Sequence, residues 1–202
     1  GSASACTGDA MNHEAPDTHL TPDERTFLRE LAWSAVRAAA SGSAAPDPEE
    51  FARERGLTLT ERLREPRGAF VTLHAGGQLR GCIGLIEGRL PLVRAVADNG
   101  RAAAVDDPRF PPLTPDELSN LKLEVSALTP LRAVDGPQDI EAGRHGILLQ
   151  KHGRQAVFLP QVATEQGWDL ATTLTHLCRK AGLPGDAWRE GAHLRVFEAE
   201  VF

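Results

Sequence analysis

Between residues 79 and 84 the chain reads Leu79-Arg80-Gly81-Cys82-Ile83-Gly84, a thiol two residues from a guanidinium and set between two glycines. On a β-strand alternate side chains share a face, so Arg80, Cys82 and Gly84 point one way while Leu79, Ile83 and Leu85 are expected to enter a core. A cation held near a cysteine favours the thiolate, the nucleophilic form. Glycine inside a strand weakens pairing and marks close approach of a ligand or another backbone, which makes Gly81 and Gly84 candidates for the floor of a small site. In that reading Cys82 is the nucleophile or hydrogen donor, and Arg80 anchors the carboxylate or phosphate of a small polar or anionic ligand. The alternative is a cysteine that packs as a small apolar residue.

Two further side chains are of types that move protons. Glu124 lies on the outward side of a segment whose Leu121, Leu123, Val125 and Ala127 alternate inward, with Lys122 and Ser126 beside it. On a strand adjoining the motif it could orient Arg80 or carry a proton; alone it is a solvated carboxylate. His145, in the turn-like Gly143-Arg144-His145-Gly146, titrates in the range suited to acid–base work, with capping of that turn as its alternative role. His74 precedes a hairpin turn, and His176 falls off the apolar stripe of its helix.

The elements that must position these groups are legible in local signals. Thr21-Pro22-Asp23-Glu24 is a helix start with a capping box, and Phe27, Leu31 and Ala35 continue an apolar stripe to about Ala40. Two β-like runs, 68–73 and 78–86, flank Ala75-Gly76-Gly77, so the motif falls on the return strand of a hairpin. A helical pattern rich in alanine follows from Pro91 to about Val105, stopped by Asp106-Asp107-Pro108. The stretch Pro108-Arg109-Phe110-Pro111-Pro112 reads as a structural corner. A second Thr-Pro-Asp-Glu at Thr114 caps a short helix before the strand of Glu124. Runs 146–151 and 155–159 form another hairpin around His152-Gly153-Arg154. Asp169 caps a helix whose Leu170, Leu174, Leu177, Cys178 and Ala181 share one stripe, which places Cys178 in a core. The stretch from His193 to Phe202 reads as one closing strand. The fold class is therefore α+β, a mostly antiparallel sheet flanked by helices.

Composition narrows the function. The chain has 202 residues and a net charge of −6, and all but three of its 22 basic residues are arginine, with no basic stripe. No nucleic-acid binding is expected from such a charge distribution. No run approaches the roughly 18 apolar residues of a membrane span, and the first residues lack a secretory pattern, so no membrane association and a cytoplasmic location are expected. Residues before Met11 read as an appended remnant, and 1–20 as remnant plus disordered leader. Setting Cys6 aside, Cys82 and Cys178 make neither a Cys-x-x-Cys pair nor a zinc-ligand spacing, so no metal and no cofactor are expected.

The hexapeptide, together with Asp107-Pro108-Arg109-Phe110-Pro111-Pro112, Glu124-Val125-Ser126, Leu159-Pro160-Gln161-Val162-Ala163, Lys180-Ala181-Gly182-Leu183-Pro184 and Trp188, resembles the AMMECR-type family. Its bacterial members are the AmmeMemoRadiSam system A proteins. The similarity runs from about Thr21 to Phe202. It implies a single domain over 21–202 made of two intertwined lobes, with the hexapeptide in a groove between them. It also implies a Memo-like protein and a radical S-adenosylmethionine protein as partners. It supplies no settled reaction. The chain carries no Cys-x3-Cys-x2-Cys pattern, so the radical chemistry would belong to the partner. Two expectations follow: a small polar or anionic ligand bound beside a reactive Cys82, with or without catalysis, or a non-catalytic module that binds a protein or peptide.

Overall fold

The first helix begins where the capping box places it. Glu24 N–H donates to Thr21 Oγ1 at 3.2 Å, and Thr21 N–H donates to Glu24 Oε2 at 2.8 Å. This computed structural model describes residues 19–202. The expected remnant and leader lies, up to residue 18, outside the described residues. Packing starts at Leu20, which is buried and donates its N–H to Glu200.

In chain order the helices and strands are α1 (Pro22–Ala40), α2 (Pro48–Glu54), α3 (Glu61–Arg64), β1 (Ala69–Ala75), β2 (Gln78–Leu85), α4 (Leu92–Val105), β3 (Leu121–Leu128), β4 (Arg132–Ala133), β5 (Gly146–Lys151), β6 (Arg154–Phe158), α5 (Pro160–Gln166), α6 (Leu170–Lys180), β7 (His193–Phe197) and β8 (Ala199–Val201). The β1–β2 hairpin turns on Gly76 and Gly77, both at positive φ, where a side chain would be strained. The second Thr-Pro-Asp-Glu opens a 3-10 turn, Pro115–Asn120, rather than an α-helix. The β5–β6 turn holds His152 and Gly153 at positive φ.

These strands form two antiparallel four-stranded sheets, ordered β2-β1-β3-β8 and β4-β7-β5-β6. The chain is α+β, as its element order predicts. In the first lobe α1 and α4 cover one face of the first sheet, burying Leu28, Leu31, Val36, Val71, Leu73, Val96 and Val125. Full burial of each such side chain stabilises by about 1.5–3 kcal/mol. Small residues bring α1 and α4 together: a Cβ at Gly100 would stand 3.1 Å from the Ala32 carbonyl oxygen. In the second lobe α6 packs against the second sheet at β6, and the core so formed encloses Leu149, Ala156, Leu174, Leu177, Cys178 and Val196.

The end of the chain departs from the expected single strand. β7 belongs to the second sheet and β8 to the first, with Glu198 at the crossing. The apolar alternation changes phase here, from Leu194 and Val196 to Phe197, Ala199 and Val201, and this break in period is the local signal of the change of sheet that a reading as one strand passes over. Thr129 fixes the crossing: its N–H donates to the Glu198 carbonyl at 2.9 Å, and its hydroxyl accepts from Glu198 N–H at 2.8 Å.

Candidate functional site

β2 is an edge strand, and an edge leaves backbone donors and acceptors unpaired unless something meets them. At Cys82 the loop after α4 supplies both partners. The Asp107 carboxylate accepts the Cys82 N–H at 2.9 Å, and Arg109 Nη2 donates to the Cys82 carbonyl at 3.1 Å. Asp107 and Arg109 also bind each other in a fork, at 2.9 Å (Nε to Oδ1) and 2.7 Å (Nη2 to Oδ2). The corner Asp107-Pro108-Arg109 thus substitutes for a fifth strand at a single residue. Asp107 is buried, and hydrogen bonds from Arg109, with help from the backbone N–H groups, hold its carboxyl well below the usual range. Arg109 in turn is held above the ordinary arginine value, first by Asp107 and then by its proximity to the Cys82 side chain.

The sulfur itself lies on the face of the first sheet that α1 and α4 do not cover, on a half-buried residue. Across the strands Cys82 opposes Thr72, and Thr72 opposes Glu124, so the three form one row. Thr72 Oγ1 is 3.3 Å from Cys82 Sγ. Glu124, two strands from Cys82, is about 10 Å from it by backbone spacing. Direct proton transfer needs about 2.6–3.2 Å, so Glu124 cannot serve the thiol by contact. It can serve a small molecule lying across the row. Glu124 also borders a cavity of about 570 Å³ that His74, Lys122, Arg29, Trp33 and Phe202 share.

Arg80 is placed differently from its expected partnership with Cys82. Leu73 pairs with Gly81 but His74 pairs with Leu79, so Arg80 is the extra residue of a bulge. Its guanidinium turns to Glu117 in the 3-10 turn, at 2.8 and 3.1 Å, and this pairing holds the Glu117 carboxyl down to about 2. The bulge also breaks the inward alternation: Leu79 is exposed, and so is Leu85 beyond the helical cover. The cation beside the thiol is therefore Arg109, from a stretch the sequence marks as a rigid corner.

The two glycines are filled by the chain's own atoms. A Cβ at Gly81 would overlap the Ala103 carbonyl of α4, so this glycine allows helix and strand to touch. A Cβ at Gly84 would overlap the Phe70 ring and the Ala69 carbonyl. His145 stands apart from this face. Its Nδ1 accepts the Glu141 N–H at 3.0 Å, closing the turn, and its Nε2 is 4.0 Å from Glu198. Burial pushes its pKa down, against the pull of Glu198. Among the described residues no group of His, Cys, Asp and Glu comes together as metal ligands, and no helix is long and apolar enough to cross a membrane.

Two lobes joined by a crossing strand, with a half-buried cysteine clamped at a sheet edge, define a two-lobed α+β protein. The family model for AMMECR1 matches residues 29–202, and the chain belongs to that family. Protein MK0488 of Methanopyrus kandleri is 48% identical over 153 residues, covering 71% of this chain and 74% of its own length. A Methanosarcina acetivorans protein is 38% identical over 188 residues, covering 91% of this chain and 92% of its own. The crystal structure of the uncharacterized protein PH0010 from Pyrococcus horikoshii superposes with a TM-score of 0.69 at 37% identity, covering 87% of this chain and 88% of that one.

Proposed function

We propose that this protein binds a small polar or anionic ligand across the Cys82–Thr72–Glu124 row and engages it through the Cys82 thiol. One observation carries the reading: a half-exposed sulfur 3.3 Å from a hydroxyl, with the Arg109 guanidinium beside it and its backbone fixed on both sides. The guanidinium can bind an anionic group of a ligand brought to the sulfur, and the Thr72 hydroxyl within reach orients the thiol. Glu124, at the far end of the row, would contact the ligand rather than the thiol. Arg80 and Arg109 are each paired with a carboxylate, Glu117 and Asp107; of the two, Arg109 is the one beside Cys82, and the donors of its Nη1 are the ones we propose for an anionic group on this face. The setting we propose is the cytoplasm, in company with a Memo-like protein and a radical S-adenosylmethionine protein.

The test is the rate of Cys82 alkylation by iodoacetamide at neutral pH. Arg109→Gln is expected to slow it fivefold or more; because it also leaves the buried Asp107 carboxylate without its cation and lowers stability, the rates are compared at a temperature where circular dichroism shows both proteins fully folded. An unchanged rate removes the activated thiol, and retention of partner binding by Cys82→Ala would then support the non-catalytic protein- or peptide-binding module.

A further inference from the structure

The second feature with the form of a ligand site is the cleft between the lobes, and it does not use the thiol. Past Gly84 the chain runs Leu85-Ile86-Glu87-Gly88-Arg89 along this cleft. By strand alternation Leu85 points to the face opposite Cys82. Leu85 is 55% exposed, a large apolar side chain left in solvent at the end of β2. It borders a cavity of about 380 Å³ whose apolar wall is completed by Ile86 and, from the second lobe, Leu148, Ala156 and Val157. A second cavity of about 350 Å³ adjoins it, sharing Ile86, Glu87 and Arg89, and is bordered also by Arg67 and Arg195. Small-molecule sites favour such interdomain clefts, with a mainly apolar lining and a few polar groups that fix orientation.

The charges of the cleft do not balance. Arg67 is buried and binds Glu65 at 2.7 Å, and Arg89 binds Glu87 at 3.2 Å. Arg195 donates to Gln150 Oε1 at 2.8 Å, a neutral acceptor. Lys180, exposed at the apolar end, donates to the Val157 carbonyl at 2.9 Å and lies 4.9 Å from the Phe158 ring. Among the described residues no ion pair joins Arg195 or Lys180 to a carboxylate. One half-buried guanidinium without an anionic partner matches one carboxylate, which it can bind by two parallel hydrogen bonds. Lys180 at the mouth adds a field that draws anions in.

We infer that this cleft binds a small carboxylate with an apolar body, its head on Arg195 with Arg89 at the shared wall, its body against Leu85, Ile86, Leu148 and Val157. The inference goes beyond the Cys82 reading and stands or falls separately. The test is calorimetric or NMR titration of the full chain with hexanoate, acetate and hexanol. Hexanoate is expected to bind at least tenfold more tightly than acetate, which lacks the body, and than hexanol, which lacks the charge. Arg195→Gln is expected to weaken hexanoate at least tenfold. Arg89→Gln, at a position 72% exposed, is expected to weaken it severalfold and serves if Arg195→Gln does not fold. Hexanoate binding no better than either control, or unchanged affinity in the folded variants, overturns the assignment.

Discussion

Cys82 and Cys178 are the same residue type in two different kinds of surroundings. Cys178 lies in α6, fully buried within the second core, where burial pushes its thiol pKa up. Cys82 lies on an edge strand, half exposed, with a hydroxyl at its sulfur and charged side chains on both of its backbone groups. Cys178 is held by the packing of its side chain. Cys82 is held by its backbone, so its side chain is free to do something other than fill space. A position whose backbone is held on both sides while its thiol is not sealed in a core is what a functional cysteine requires.

The largest expected effect is loss of the clamp. Asp107→Ala removes an acceptor from the Cys82 N–H and the fork from Arg109, and hydrogen bonds to charged groups contribute about 1.5–3 kcal/mol each. Because Arg109 is half exposed and recovers solvation, the net expectation is about 2 kcal/mol, read by urea denaturation. The acid limb sharpens it. Asp107 and Glu117 both have folded values below their ordinary 3.8 and 4.5. Their contribution is therefore present above those values and lost as pH falls through the depressed ones, for Glu117 toward about 2. The parent should lose stability from about pH 4.5 downward, and Asp107→Ala should do so with a shallower slope. Equal slopes would separate the clamp from the acid transition.

A second pair of substitutions, one of comparable and one of smaller effect, addresses the cysteines directly. Cys178→Ser puts a hydroxyl into an apolar core, costing about 1–3 kcal/mol. Cys82→Ser keeps a hydroxyl-bearing group beside Thr72 at a half-exposed position and is expected to change stability by about 0.5 kcal/mol or less. Comparable losses from both would mean that Cys82 is also a packing residue.

Much of this contrast was legible in the sequence. The helix caps, the Gly76-Gly77 hairpin, the strand of Glu124 and the burial of Cys178 follow from signals within a few residues of one another. What was not legible depends on pairing across the chain. Arg80 shares the strand face of Cys82 in an ideal strand, but the bulge opposite Leu73 and His74 turns it to Glu117. Arg109 reaches Cys82 only because α4 returns the chain to the edge of β2, a matter of helix length and packing rather than motif. Gly81 and Gly84 signalled close approach correctly, but the approaching atoms are those of Ala103 and Phe70. The phase shift of the alternation at Val196-Phe197 marks a break in the closing strand, but which sheet each half joins depends on pairing with β3 and β5 far away in the chain.

The most direct measurement is the native-state alkylation of the cysteines, read peptide by peptide by mass spectrometry. The account predicts that iodoacetamide modifies Cys82 in the folded protein at least a hundredfold faster than Cys178, which should react only after denaturant is added. A Cys82 as slow as Cys178 in the folded protein would contradict it.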